Sequence, residues 1–102
     1  MKTSDPDFIS GLPGEHLIRQ GLSDLQSGSP TVPAYLVSIA RTRFRNAGLL
    51  EPSAPSLPDP ELHLYRLMRS EGGDAYSRYN SSLRELTSFE QALDRRVRMK
   101  SQ

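Results

Sequence analysis

The two histidines of this 102-residue chain, His16 and His63, are the side chains best suited to proton transfer at neutral pH. Glu15 stands beside His16, but residues adjacent in a helix point to different faces. Glu61 lies before His63 at an equally unsuitable spacing. The chain has no cysteine, and it contains no HExxH, GxSxG or glycine-rich phosphate-loop motif. We therefore predict that the protein is not an enzyme and holds no cofactor or metal ion.

The stretch RTRFRN, which begins at Arg41, holds arginine at every second position. At 100° per residue, Arg41 and Arg45 share the polar side of a helix, whereas Arg43 points toward the apolar side. One interpretation is that Arg43 extends its guanidinium past apolar neighbours into solvent. The other is that Arg43 is buried and paired with Glu71 or Glu90. We favour the first, because long charged side chains are seldom fully buried.

Contact with nucleic acid is the alternative function that the arginines suggest. The 13 basic and 12 acidic side chains give a net charge of only +1, so any such contact requires a local patch. A helix-turn-helix motif is not supported, because Ser23, Asp24 and Ser27 stand where it needs small or apolar residues. Cations at the end of a helix also complement its dipole without any ligand. The candidate phosphate contacts are Arg41, Arg45, Arg95, Arg96 and Arg98.

Four segments carry apolar residues at helical spacing and are predicted to form helices. No segment alternates convincingly at a period of two, which argues against strands. We predict an all-α, four-helix bundle-like domain over residues 12–100, made of two helical hairpins joined by a proline-rich crossover. Thr31 or Ser29, Asp59 and Asp74 are the predicted N-caps. The predicted helices span residues 13–27, 31–47, 60–71 and 74–99, and the crossover spans residues 50–60.

Residues 1–11 are predicted to form an irregular N-terminal arm, with Phe8 and Ile9 as the side chains that dock it onto the domain. Within the first helix, Gly21 falls on the apolar face, where glycine costs about 1 kcal/mol relative to alanine. Either another helix backbone approaches closely at Gly21, or the glycine is simply tolerated. The sequence leaves both explanations open.

The fourth predicted helix is the longest, about 37 Å at 1.5 Å per residue, against about 20–25 Å for the others. We predict that its last turns overhang the bundle and expose an apolar ridge of Phe89, Leu93 and Val97. Tyr79, on the same helix, is a further candidate contact, because tyrosine is enriched at interfaces. The predicted function is a protein–protein interaction module that self-associates or binds a partner helix. The competing interpretation is that the first hairpin buries this ridge within one chain.

No 18 apolar residues run together, which predicts that no segment crosses or binds a membrane. The first residues, MKTSDPDFIS, lack the apolar run of a signal peptide. We therefore expect a soluble, cytoplasmic protein.

Overall fold

The computed structural model of the chain describes residues 9–50 and 57–100. The predicted arm up to Phe8 and most of the proline-rich crossover lie outside these ranges. All regular elements within them are helices, and none of these helices is long and apolar enough to cross a membrane. The helices are α1 (Glu15–Gln26), α2 (Val32–Ile39), α3 (Arg41–Asn46), α4 (Pro60–Glu71) and α5 (Ala75–Lys100).

The single helix predicted over residues 31–47 is wrong, because the chain bends at Ala40 and forms α2 and α3 instead. Ala40 has φ −97° and ψ 21°, outside the α-helical range. Its N–H donates a long 3.3 Å hydrogen bond to the Leu36 carbonyl, and regular bonding resumes from Phe44 to Ala40 at 3.0 Å. Apolar spacing continues through the buried Ala40, so the sequence pattern carries no sign of the bend.

The α1–α2 turn is fixed by Thr31. Its hydroxyl accepts a hydrogen bond from the N–H of Ala34 and donates one of 2.6 Å to the Asp24 carboxylate on α1. Thr31 is therefore the N-cap of α2, one of the two predicted candidates. The connection between α1 and α2 is thus held at both ends by one side chain.

The α1–α2 pair packs unusually closely at Gly21, which is buried. A Cβ at this position would stand 2.3 Å from the Pro33 carbonyl oxygen and 2.5 Å from Cγ2 of Val37. Real Cβ atoms essentially never come so near to another heavy atom. Of the two explanations for Gly21, close approach of a second helix backbone is therefore correct.

Of the predicted N-caps of α4 and α5, one is confirmed and one is wrong. Asp74 Oδ1 accepts a 3.1 Å hydrogen bond from the N–H of Ser77, so Asp74 caps α5. The predicted cap of α4, Asp59, makes no side-chain cap hydrogen bond. Asp59 has φ 42°, whereas an N-cap side chain is normally presented from extended backbone.

The helices form consecutive contacts. α1 packs on α2, α2 on α4, and α4 on α5. Tyr35 of α2 stacks on His63 of α4 at 6.1 Å between ring centroids, and Tyr65 of α4 meets Tyr79 of α5 edge to face at 5.5 Å. The fully buried side chains at the centre are Ile18, Leu25, Leu36, Val37, Phe44, Leu64, Met68, Phe89 and Leu93.

Residues 9–14, before α1, run alongside the second half of α5. The Arg96 guanidinium donates a 2.8 Å hydrogen bond to the backbone carbonyl of Ser10. Four residues later, Gly14 lies so close to Glu85 that a Cβ would stand 3.3 Å from Cγ of that side chain. This segment therefore follows α5 over about three helical turns, antiparallel to it.

The predicted exposure of the ridge on α5 is wrong. Phe89 and Leu93 are completely buried, and Val97 is partly buried against the same core. The prediction considered only helices as cover, whereas two non-helical segments also contribute buried residues to this core. Their buried residues in this core are Ile9, Leu12, Leu49 and Leu50.

Candidate functional site

A groove of about 510 Å³ lies between α3 and the last turns of α5. Four apolar residues line it, and all four are partly or fully buried. Four polar residues complete the lining, and three of these are exposed. The apolar set is Ile39, Ala40, Ala47 and Val97, and the polar set is Thr42, Arg43, Asn46 and Asp94. The groove thus has an apolar floor and a polar edge.

Ala40, where the chain bends, lines this groove. After the bend, Phe44 of α3 meets Phe89 of α5 edge to face, with ring centroids 5.6 Å apart and planes at 79°. Such edge-to-face contacts are the favoured geometry of aromatic pairs and anchor α3 on α5. Val97 lies two turns beyond Phe89 on the same helix, where it lines the groove. It is the only member of the predicted ridge that does so.

Arg43 and Asp94 form an ion pair at the edge of the groove. Nη1 of Arg43 donates a 2.6 Å hydrogen bond to Oδ2 of Asp94, and Nε lies 3.6 Å from Oε2 of Glu90. About half of the Arg43 side chain is exposed, so the predicted extension into solvent is right and the buried pair is wrong. The exposed guanidinium nevertheless binds carboxylates. Of these two partners, Glu90 is predicted by the sequence and the closer one, Asp94, is not.

Glu90 is the most perturbed acid at this site. Burial raises the pKa of its carboxyl above the ordinary value, the positive charge of Arg43 opposes that shift, and the nearby Asp94 adds to it. Glu90 and Asp94 stand four residues apart on α5, and one guanidinium serves both. Glu90 and Asp94 therefore share the positive charge of Arg43.

The five arginines proposed for nucleic-acid contact have different environments. Arg96 is partly buried and bonded to Ser10, as described above. Arg41 and Arg45 are also partly buried, and Nε of Arg41 is buried without a hydrogen-bond partner. Arg95 and Arg98 are exposed and border a smaller depression next to Asp94. The structure therefore divides the predicted set instead of gathering it into one patch.

Tyr79, the remaining predicted partner contact, lies away from the groove. It is partly buried against Tyr65, and its pKa is raised by burial and by the negative charge of Glu61. Exposed apolar area in this part of the molecule belongs to Tyr76 and Leu62. Tyr79 thus lies at the rim of the core between α4 and α5.

The histidines do not meet a catalytic partner in the described ranges. His63 stacks on Tyr35, and His16 is exposed on α1. Within residues 9–50 and 57–100, no three histidine or carboxylate side chains come together as a metal site.

Comparison of the chain with models of protein families gives no match. Comparisons with curated proteins and with solved structures give no significant match either.

Proposed function

We propose that this protein is a non-enzymatic helical interaction module that binds a helix of a partner protein in the groove between α3 and α5. The observation that carries the proposal is the composition of the groove. Partly buried apolar side chains, including Val97 and Ile39, are framed by exposed polar ones such as Thr42 and Asn46. An apolar centre inside a polar rim is the usual anatomy of a protein interface.

A helix is the occupant that suits this groove best. Its walls are themselves two helices, and an amphipathic helix can lay an apolar stripe between them. Leucines or similar residues spaced by three and four would reach Ile39, Ala47 and Val97. We also propose that the helices pack as two hairpins in a four-helix bundle-like domain. A cytoplasmic location likewise stays a prediction.

Contact with nucleic acid has weaker support. The arginines predicted for it are divided among different surroundings, and the guanidinium of Arg96 is bonded to Ser10.

The direct test uses a fluorescently labelled helical peptide with no net charge and leucines on one face. We expect saturable binding, measured by fluorescence anisotropy. Val97→Asp should weaken it by about tenfold or more, since a buried carboxylate replaces an apolar contact. Tyr76→Asp, near the other end of α5, is the matched control and should bind normally.

Two further measurements complete this test. Thr42→Trp fills the groove from its exposed edge, so it should block binding even if Val97→Asp destabilises the fold. Light scattering of the wild type reports whether a second copy of the chain is the occupant. If the wild type is a monomer by light scattering and also binds no peptide, the proposal is overturned.

A further inference from the structure

Charge is distributed very unevenly in this chain, although its net charge is only +1. The residues of α3 and the segment 88–100 hold seven of the 13 cations and only two of the 12 acids. These two segments pack together around the groove. The remainder of the sequence, with six cations and ten acids, is net negative. The two segments that border the groove therefore carry an excess of positive charge in sequence, and their exposed cations include Arg43, Arg95 and Arg98.

The local arrangement strengthens this asymmetry. The acids of these segments, Glu90 and Asp94, both lie against Arg43. Arg95 and Arg98 are exposed beside Asp94, next to the groove. A ligand that enters the groove thus meets an apolar floor flanked by positive charge.

We infer that the partner helix is acidic: an amphipathic helix whose apolar face packs on the floor of the groove and whose carboxylates contact Arg43, Arg95 and Arg98. This inference rests on the proposed function and adds the chemistry of the partner to it. Oppositely charged surfaces raise the rate of association and exclude partners of the wrong sign. A basic helix would be repelled from the same position.

The Arg43–Asp94 ion pair makes this inference more specific. Asp94 already occupies the guanidinium of Arg43, so a carboxylate of the partner competes with Asp94 for the same donors. Removing the charge of Asp94 should therefore strengthen acidic binding. Removing the charge of Arg43 should weaken it. A purely structural role of the ion pair would make both changes act in the same direction.

The apolar floor separates an acidic helix from nucleic acid as the ligand. A single-stranded nucleic acid is held by cations together with aromatic platforms on which bases stack. The lining residues of this groove are aliphatic or polar, and none is aromatic. An acidic helix uses both the floor and the cations.

The experiment compares three labelled helical peptides with the same apolar face and acidic, neutral or basic polar faces. At low salt, about 50 mM, we expect the acidic peptide to bind at least about tenfold more tightly than the neutral one and the basic peptide to bind most weakly. The difference should shrink at about 500 mM salt, where charges are screened. The double variant Arg95→Glu, Arg98→Glu should lose the preference for the acidic peptide. The control Arg78→Glu, near the start of α5, should keep that preference.

The outcomes distinguish this inference from the proposed function. Equal affinity for the acidic and neutral peptides would overturn the inference and leave the groove as a binding site. No binding of any peptide would overturn both. Acidic binding that survives Thr42→Trp would overturn the groove as its location. A labelled single-stranded oligonucleotide that displaces the acidic peptide and binds more tightly would replace the acidic helix with nucleic acid. If Asp94→Asn strengthens the binding of the acidic peptide and Arg43→Gln weakens it, the two results support competition for the guanidinium of Arg43.

Discussion

Gly21 of α1 lies directly against the backbone of Pro33 in α2, at a distance that leaves no room for a side chain. A Cβ on Gly21 would stand 2.3 Å from the Pro33 carbonyl oxygen and 2.8 Å from its carbonyl carbon. Both atoms belong to the backbone of a helix, so neither can rotate away as the end of a side chain could. The spacing of α1 and α2 therefore depends on glycine at this position.

Gly21→Ala is expected to destabilise the protein by roughly 1–3 kcal/mol, the usual cost of overpacking. This cost opposes the gain of about 1 kcal/mol that alanine brings to a helix interior. Urea unfolding followed by circular dichroism measures the difference. Ser23→Ala, on the exposed side of α1, is the control and should change stability by less than about 0.5 kcal/mol. A more stable Gly21→Ala protein would contradict the close contact.

Leu93→Ala should be strongly destabilising, because Leu93 is completely buried. Replacing a buried leucine by alanine costs roughly 2–5 kcal/mol through lost burial and the remaining cavity. Met99→Ala, on the same helix but 73 % exposed, should cost less than about 0.5 kcal/mol. Thermal unfolding of the two variants decides between a buried and an exposed ridge. Similar melting temperatures would show that Leu93 faces solvent.

The Arg43–Asp94 pair is expected to contribute little to stability despite its 2.6 Å distance. Both side chains are more than 40 % exposed, and such pairs contribute about 0.2–1 kcal/mol in double-mutant cycles. The cycle is Arg43→Ala, Asp94→Ala and the double variant, measured at low and high salt. The Glu71–Arg78 pair, at 2.8 Å and similarly exposed, provides a matched comparison. A coupling energy well above 1 kcal/mol would indicate a desolvated pair.

Asp74 should stabilise the protein only where its carboxylate is ionised. Hydrogen bonds from the backbone and then the hydroxyl of Ser77 lower the pKa of Asp74 below its ordinary 3.8. This stabilisation is present above that value and is lost as the pH falls through the lower pKa of the folded state. Asp74→Ala should therefore lower the unfolding midpoint at pH 7 and have a smaller effect in acid. An equal effect of Asp74→Ala at both pH values would contradict this role of the carboxylate.

Ionisation of Glu90 should have the opposite effect on stability from ionisation of Asp74. Its pKa in the folded state is raised, mainly by burial, so the ionised carboxylate opposes folding. The penalty is present above the folded-state pKa and disappears as the pH falls from there through the ordinary value of 4.5. Relative to Glu90→Gln, the wild type should gain stability over that interval. Parallel stability curves for the two proteins would contradict the raised pKa.

Helical periodicity predicted the all-helical class and the approximate positions of most helices. Gly28 and the Gly72–Gly73 pair marked the turns, and the N-caps Thr31 and Asp74 could be recognised by residue type. Two features could not be predicted in this way. The bend at Ala40 leaves the apolar spacing unchanged, and Asp59 resembles a cap although its backbone conformation is not that of one.

The candidate site was predicted only in part. Val97 lines the groove, but Phe89 and Leu93 are completely buried, and Phe89 packs on Phe44 of α3. Periodicity shows that a face is apolar, and it does not show which residues cover that face. The groove depends on how α3 turns toward α5, which is a tertiary property.

The hydrogen bond from Arg96 to Ser10 joins residues 86 positions apart, and it has a consequence during protein synthesis. Ile9 and Leu12 leave the ribosome before α5, along which their segment runs, has been fully translated. Folding must therefore be completed after α5 has emerged, and the nascent chain stays open to chaperones and proteases until then.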